Sequence, residues 1–147
     1  MQASIGCEQL KKLPNFIDKR RSNFQHLKQI LSTIDTDIIL PEASPNSNPS
    51  WFGFPITIRT ECKKSRNSII EYIEEHQIQT RLLFSGNLVK HPCFDEIRNT
   101  NAYRIIGDLE NTNNIMNNTF WVGVYPGMTE EMIEYIGQTI IDAFMKA

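Results

Sequence analysis

A segment rich in proline and serine separates two parts of this chain that differ in their apolar patterning. Residues 41–50 read PEASPNSNPS, with three prolines and three serines, so they predict an extended loop that carries the chain across a domain. Before the loop, apolar residues recur at helical spacing, whereas short aromatic and β-branched runs alternate with helical stretches after it. The loop therefore predicts a helical part followed by a part that contains both strands and helices.

Two helices are predicted before the loop. The first runs from Met1 to Leu13 and is interrupted by Pro14, and the second spans the apolar residues from Ile17 to Ile34. No Ser, Thr, Asp or Asn precedes the first periodic residue, although such residues usually cap a helix start. We therefore expect that the chain starts within a helix of a larger protein.

Three strands and three helices are predicted after the loop, with a further short helical stretch, broken by Pro92, over residues 87–97. The strands are Trp51–Arg59, Gln79–Phe84 and Phe120–Tyr125; the helices run from a Ser65 cap to His76, over Leu109–Asn118 and from a Thr129 cap onwards. Ile133, Ile136, Ile140 and Phe144 form the apolar stripe of the last helix. This order predicts an α+β fold with a small, mainly antiparallel sheet covered by helices.

Composition narrows the function classes. A net charge of -2 argues against a nucleic-acid binder, and no apolar run reaches the roughly 18 residues of a membrane helix. Cys7, Cys62 and Cys93 are far apart, and the three histidines lack the spacing of a helical zinc pair, so no metal site is predicted. Free cysteines fit a reducing cytoplasm.

A Ser-Gly-Asn turn is the one unusual local feature. Ser85, Gly86 and Asn87 follow a strand, with Arg81 before them and Lys90 after them. Such a turn can offer backbone N–H groups, an amide and a cation to an anionic ligand. The alternative is a plain connection between a strand and a helix, and the residues by themselves favour that alternative.

Several runs around this turn resemble one enzyme family, in order. They are TRLLFSGNL from Thr80, His91-Pro92, YRIIGDL from Tyr103, and FWVGVYPGMT from Phe120, while MQASIG from Met1 is similar to an internal helix of the same family. The family is the DegT/DnrJ/EryC1/StrS group of vitamin-B6 enzymes that act on nucleotide sugars. The LLFSGN and FWVGVYPG runs are most similar to its CDP-4-keto-6-deoxy-D-glucose 3-dehydrases of lipopolysaccharide biosynthesis.

The resemblance implies the C-terminal small domain of a fold-type-I pyridoxal-phosphate enzyme. Residues 1–40 would be connecting helices, residues 41–147 the small domain, and the large cofactor-binding domain would be absent. The parent enzyme would be a homodimer that removes the C3 hydroxyl of a CDP-sugar with pyridoxamine phosphate, on the way to 3,6-dideoxyhexoses. No residue here matches the family's catalytic or cofactor contacts, so we expect this chain alone to hold no cofactor.

The resemblance also implies a substrate-binding wall. Its members would be Phe52, Arg81, Phe84, Ser85, Gly86, Asn87 and Lys90. Phe54 and Trp121 are further candidates, for which core packing is the alternative and, for Trp121, the favoured one. Two other functions stay open: a truncated remnant or split-chain partner without activity of its own, and a nucleotide-sugar aminotransferase.

Overall fold

The computed structural model describes residues 2–146, so the predicted helix start at Met1 lies outside the described residues. The helices are α1 (Gln2–Leu31), α2 (Arg66–Glu75), α3 (Glu110–Asn118) and α4 (Glu130–Lys146). The strands are β1 (Ile38–Ile39), β2 (Gly53–Ile58), β3 (Thr80–Leu82) and β4 (Thr119–Gly123). Short 3-10 turns occupy Ser32–Ile34, Leu88–Lys90 and Pro92–Ile97.

The four strands form one antiparallel sheet in the order β1-β2-β4-β3. In this register Phe54 lies opposite Val122 and Ile56 lies opposite Phe120. The predicted α+β class with a small antiparallel sheet is confirmed. Strand β4 lies between β2 and β3, so the last strand in sequence joins the two strands that precede it.

One face of the sheet carries the hydrophobic core. Because successive side chains of a strand point to opposite faces, Phe54, Ile56 and Ile58 share this face of β2, and Phe120 and Val122 share it on β4. Helices α1, α2 and α4 cover it with buried apolar side chains. These are Phe24, Leu27, Leu31, Ile69, Ile73, Ile133, Ile140 and Phe144.

Local capping explains where two helices begin. The Ser65 side chain accepts a hydrogen bond from the Ser68 N–H at 3.1 Å, which confirms it as the cap of α2. The Thr129 hydroxyl accepts from the Met132 N–H at 3.3 Å, as predicted for α4. The predicted apolar stripe of α4 is also confirmed, with Ile136 partly buried beside the core.

The predicted helix break at Pro14 is wrong. Helix α1 continues through Pro14 to Leu31. Proline removes one N–H donor, so the Leu10 carbonyl loses its helical partner. Residues 2–16 are exposed, and water can take the place of the missing donor there.

One strand was missed, and another was predicted too long. The two-residue β1 was missed, because two isoleucines beside a loop give no alternating pattern long enough to read. Strand β3 is shorter than the predicted Gln79–Phe84: it ends at Leu82, and Phe84 takes a left-handed backbone with a φ of 49°. Among residues 2–146, no helix is both long and apolar enough to cross a membrane.

Candidate substrate-binding surface

The turn after β3 is held in a conformation that requires glycine. Gly86 has a φ of +59°, and a Cβ atom there would lie 2.5 Å from Met116 Cγ of α3. Left-handed backbone disfavours other residues, and the contact leaves no room for a side chain. The Ser85–Asn87 turn, defined as residues 85–87, therefore lies directly against α3.

Asn87 fastens this turn to its surroundings. It is 3% exposed, and its Oδ1 accepts a hydrogen bond from the Val89 N–H at 3.1 Å. Its Nδ2 donates to Asn113 Oδ1 at 2.8 Å, and its backbone N–H points to Met116 Sδ at 3.4 Å. Both ends of the amide are thus engaged within the chain, and a substrate contact of Asn87 stays a prediction.

His91, which was not among the predicted wall residues, supports the same turn. His91 Nε2 lies 2.5 Å from the Ser85 carbonyl oxygen, so this nitrogen carries the proton and donates. Arg98 Nη2 in turn donates to the His91 carbonyl at 3.1 Å. The only sequence signal was the His91-Pro92 pair, which gives no indication of this contact.

An aromatic hollow lies beside the turn, and its sheet residues Pro55 and Trp121 face away from the core. The hollow has a volume of about 280 Å³, and its lining includes Phe52, Phe84 and Trp121 together with Trp51, whose ring stacks on core residue Phe24 at a centroid distance of 4.2 Å. Phe52 and Trp121 meet edge to face with ring centroids 5.2 Å apart. Phe52 and Phe84 are 58% and 80% exposed, so these two predicted wall residues present apolar rings to solvent.

The two less certain aromatic candidates, Phe54 and Trp121, lie on opposite faces of the sheet. Phe54 is fully buried in the core, where its ring centroid lies 4.7 Å from that of Phe24, so its candidacy as a wall residue is wrong. The preference for core packing of Trp121 is also wrong, since Trp121 alternates with buried Phe120 and Val122 and faces the other way. Its Nε1–H donates to the Leu82 carbonyl at 3.3 Å.

The two basic residues of the predicted wall, Arg81 and Lys90, lie at different places on the surface. Arg81 lies directly opposite Trp121 in the β3–β4 register, so the two side chains leave the sheet on the same face. Its Nη1 donates to the Thr80 carbonyl at 3.1 Å. Lys90 is exposed at the end of a 3-10 turn and does not line the aromatic hollow.

Two further features were not predicted from the sequence. A Cβ atom on Gly53 would lie 2.5 Å from Trp121 Cε3, so this glycine makes room for the ring over the sheet. A second hollow of about 300 Å³ lies between Leu88, Phe94 and Tyr103. The Gly53 contact depends on residues that are distant along the chain, whereas the second hollow forms within residues 88–103, a stretch without a clear apolar period.

Few side chains near this surface have a shifted pKa, and the described residues offer no metal-ligand cluster. Burial lowers the pKa of Arg66, whose Nη1 donates to the Met116 carbonyl at the end of α3. Within residues 2–146, the His, Cys, Asp and Glu side chains form no group of three that could hold a metal ion. The surface offers shape, aromatic rings and nearby guanidiniums. Arg81 lies on the same sheet face, and Arg20 and Arg21 donate to the carbonyls of Trp51 and Pro49 at 3.2 and 3.3 Å.

Comparison with known proteins identifies the family. The profile of the DegT/DnrJ/EryC1/StrS aminotransferase family matches residues 1–141. The chain belongs to this family. The predicted resemblance is confirmed.

Its relatives include named 3-dehydratases. The chain is 44% identical over 136 residues to lipopolysaccharide biosynthesis protein RfbH of Salmonella typhimurium, covering 92% of this chain and 30% of that protein. It is 41% identical over 147 residues to dTDP-4-dehydro-2,6-dideoxy-D-glucose 3-dehydratase of Saccharopolyspora spinosa, covering 100% of this chain and 31% of that protein. It thus spans about a third of the length of each.

A solved structure shows the same fold in a family member. The E. coli GDP-4-keto-6-deoxy-D-mannose-3-dehydratase with bound hydrated PLP matches with a TM-score of 0.79 at 26% identity, covering 92% of this chain and 33% of that chain. The expected fold is confirmed, since this solved structure with bound PLP shares it. The domain division at residue 40 stays a prediction.

Proposed function

We propose that this chain is the C-terminal small domain of a nucleotide-sugar 3-dehydratase that works with pyridoxamine phosphate. The observation that carries the proposal is the 41% identity to a 3-dehydratase over all 147 residues. The parent enzyme removes the C3 hydroxyl of a nucleotide sugar, and it acts as a homodimer. The cofactor supplies the electron sink for that step, and the protein binds and orients the substrate.

The aromatic hollow and the adjoining turn form the part of the substrate wall that this chain contributes. Phe52, Phe84 and Trp121 offer ring faces to the apolar parts of the substrate, and Arg81 offers a cation on the same sheet face. A guanidinium is well suited to a phosphate because it donates several parallel hydrogen bonds. Ser85, Gly86, Asn87 and Lys90 continue the wall beyond the hollow.

The lining of the aromatic hollow does not fit the cofactor itself. A phosphate ester is held by clustered N–H groups, hydroxyls and cations. The aromatic hollow has one hydroxyl side chain, Ser50, among rings, prolines and a leucine in its lining. We therefore assign the cofactor to the other two thirds of the parent enzyme and expect a stable complex with this chain alone not to form.

A chimera tests the proposal. This chain replaces the matching 31% of the S. spinosa enzyme, and loss of one water from dTDP-4-dehydro-2,6-dideoxy-D-glucose is followed by mass spectrometry in a single turnover. Dehydration that depends on the grafted chain supports the proposal. A chimera that folds but does not dehydrate the substrate contradicts it. Amino transfer from glutamate to a 4-keto sugar in the same chimera would favour the aminotransferase instead.

The non-catalytic alternative, a truncated remnant or a split-chain partner, has its own tests. Coding DNA upstream of Met1 decides between this alternative and the enzyme, because an open frame for a pyridoxal-phosphate domain supports the enzyme. In a separate test, the chain is mixed with pyridoxamine phosphate and desalted. A stoichiometric cofactor band that survives would contradict the cofactor assignment.

A further inference from the structure

Helix α3 is built unlike the other helices of this chain. Its sequence is ENTNNIMNN, and none of its residues is fully buried, so it contributes little to the hydrophobic core. It nevertheless makes three contacts with the Ser85–Asn87 turn: the Asn113 amide on Asn87, Met116 Sδ near the Asn87 N–H, and the Met116 side chain against Gly86. A polar helix placed this way acts on the turn more than on the core.

The hydrogen bonds fix the orientation of the Asn87 amide. The Val89 N–H can only donate, so the Asn87 atom facing it is the oxygen. The nitrogen of the same amide must then face Asn113, which has to present its own oxygen, 2.8 Å away. An acceptor at position 113 is therefore what holds the amide, and a carboxylate would serve as well as an amide oxygen.

We propose that Asn113 is a positioning residue for the Ser85–Asn87 turn and, through it, for the substrate wall. The proposal rests on the proposed function for its link to the substrate. Phe84, which immediately precedes the turn, is a lining ring of the aromatic hollow, so a shift of the turn moves that ring. Asn113 does not line the aromatic hollow. It acts on the turn through its hydrogen bond with Asn87.

Three variants isolate the acceptor at position 113. Asn113→Leu keeps the size and removes the acceptor, whereas Asn113→Asp restores an acceptor oxygen. The matched control is Asn114→Leu, since Asn114 is also partly buried on α3 but accepts a hydrogen bond from Asn118, at 2.6 Å within the helix. The first readout is hydrogen exchange of the Val89 amide in the 147-residue chain.

Asn113→Leu is expected to speed Val89 exchange by about tenfold, the size expected for loss of one ordinary hydrogen bond. Exchange in β4 and α4 should stay unchanged, and both Asn113→Asp and Asn114→Leu should match the parent chain. Unchanged Val89 exchange in Asn113→Leu overturns the proposal. Faster exchange throughout the chain, or failure of Asn113→Leu alone to fold, also overturns it, because Asn113 would then be a general stability residue.

The second readout is kinetic and uses the chimera with the S. spinosa enzyme. Asn113→Leu should raise KM about tenfold with a smaller change in kcat, and Asn113→Asp should restore KM. An unchanged KM overturns the link from the turn to the substrate. If the unsubstituted chimera folds but does not dehydrate, the proposed function fails, and hydrogen exchange at Val89 still decides the role of Asn113.

Discussion

The paired glycines of the central strands allow a direct test of how the aromatic hollow is built. Gly53 on β2 and Gly123 on β4 lie opposite each other in the register. A Cβ atom on Gly53 would lie 2.5 Å from the Trp121 ring, whereas one on Gly123 would have no atom within 4 Å. Gly53→Ala and Gly123→Ala are therefore the same chemical change at neighbouring points of one sheet, with and without a ring in the way.

The expected magnitudes follow from what Trp121 would lose. Alanine in place of glycine in a strand stabilises by about 0.5–1 kcal/mol. A displaced Trp121 ring gives up its edge contact with Phe52, worth about 0.5–1.5 kcal/mol, and its hydrogen bond to the Leu82 carbonyl, worth a similar amount. Gly53→Ala should thus lower the free energy of unfolding by about 0.5–2 kcal/mol, while Gly123→Ala should raise it slightly.

Urea unfolding and tryptophan fluorescence measure the two effects separately. Trp51 and Trp121 are the two tryptophans of the chain, so a Trp51→Phe background leaves the fluorescence of Trp121 alone. Gly53→Ala should shift that emission to the red as the ring moves into water, and Gly123→Ala should leave it unchanged. If Gly53→Ala gives the stability and emission of Gly123→Ala, Trp121 does not lie over Gly53 and the hollow is not formed as described.

Other parts of the fold give further expectations. Gly137→Ala should lower the free energy of unfolding by about 1–3 kcal/mol, because its Cβ would lie 2.6 Å from Ile30 Cγ2. Ile30→Ala in the same chain should reverse the loss, and additive effects of the two changes would contradict this. Residues 2–16 are exposed, so their amides should exchange faster than those of α4 by mass-spectrometric hydrogen exchange; equal protection would show an unrecognised contact. The hydrogen bond from Lys146 lowers the pKa of Asp142, so the stabilisation it gives is present above the unfolded carboxyl pKa of about 3.9 and is lost as the pH falls through the folded value. Asp142→Asn should therefore destabilise near neutral pH and have no effect in strong acid, as measured by thermal unfolding; a pH-independent difference would refute the linkage.

Local patterns predicted the elements whose causes lie within a few residues. The Ser65 cap of α2, the Thr129 cap of α4 and the apolar stripe from Ile133 to Phe144 all depend on neighbours one or two turns away. The family was also readable from the chain, because runs such as LLFSGN and FWVGVYPG keep their order and spacing. Here the sequence and the structure agree.

The candidate site was only partly predictable. The predicted wall residues Phe52 and Phe84 line the aromatic hollow, but the choice between a core and a surface position for Trp121 depends on strand register. One residue of shift exchanges the two faces of a strand, and β4 carries apolar residues at successive positions, Phe120, Trp121 and Val122. Pattern alone could not assign the faces there.

By itself the sequence determined the fold class, most helix and strand positions and the family, because propensity, capping and motif spacing act over short stretches of chain. The tertiary structure decided that α1 continues through Pro14, that Gly53 makes room for Trp121, and that Asn87 is held by Asn113. Each of these depends on solvent exposure or on contacts between distant residues. Such contacts exist only once the sheet has its register and α3 lies against the turn, so no local pattern encodes them.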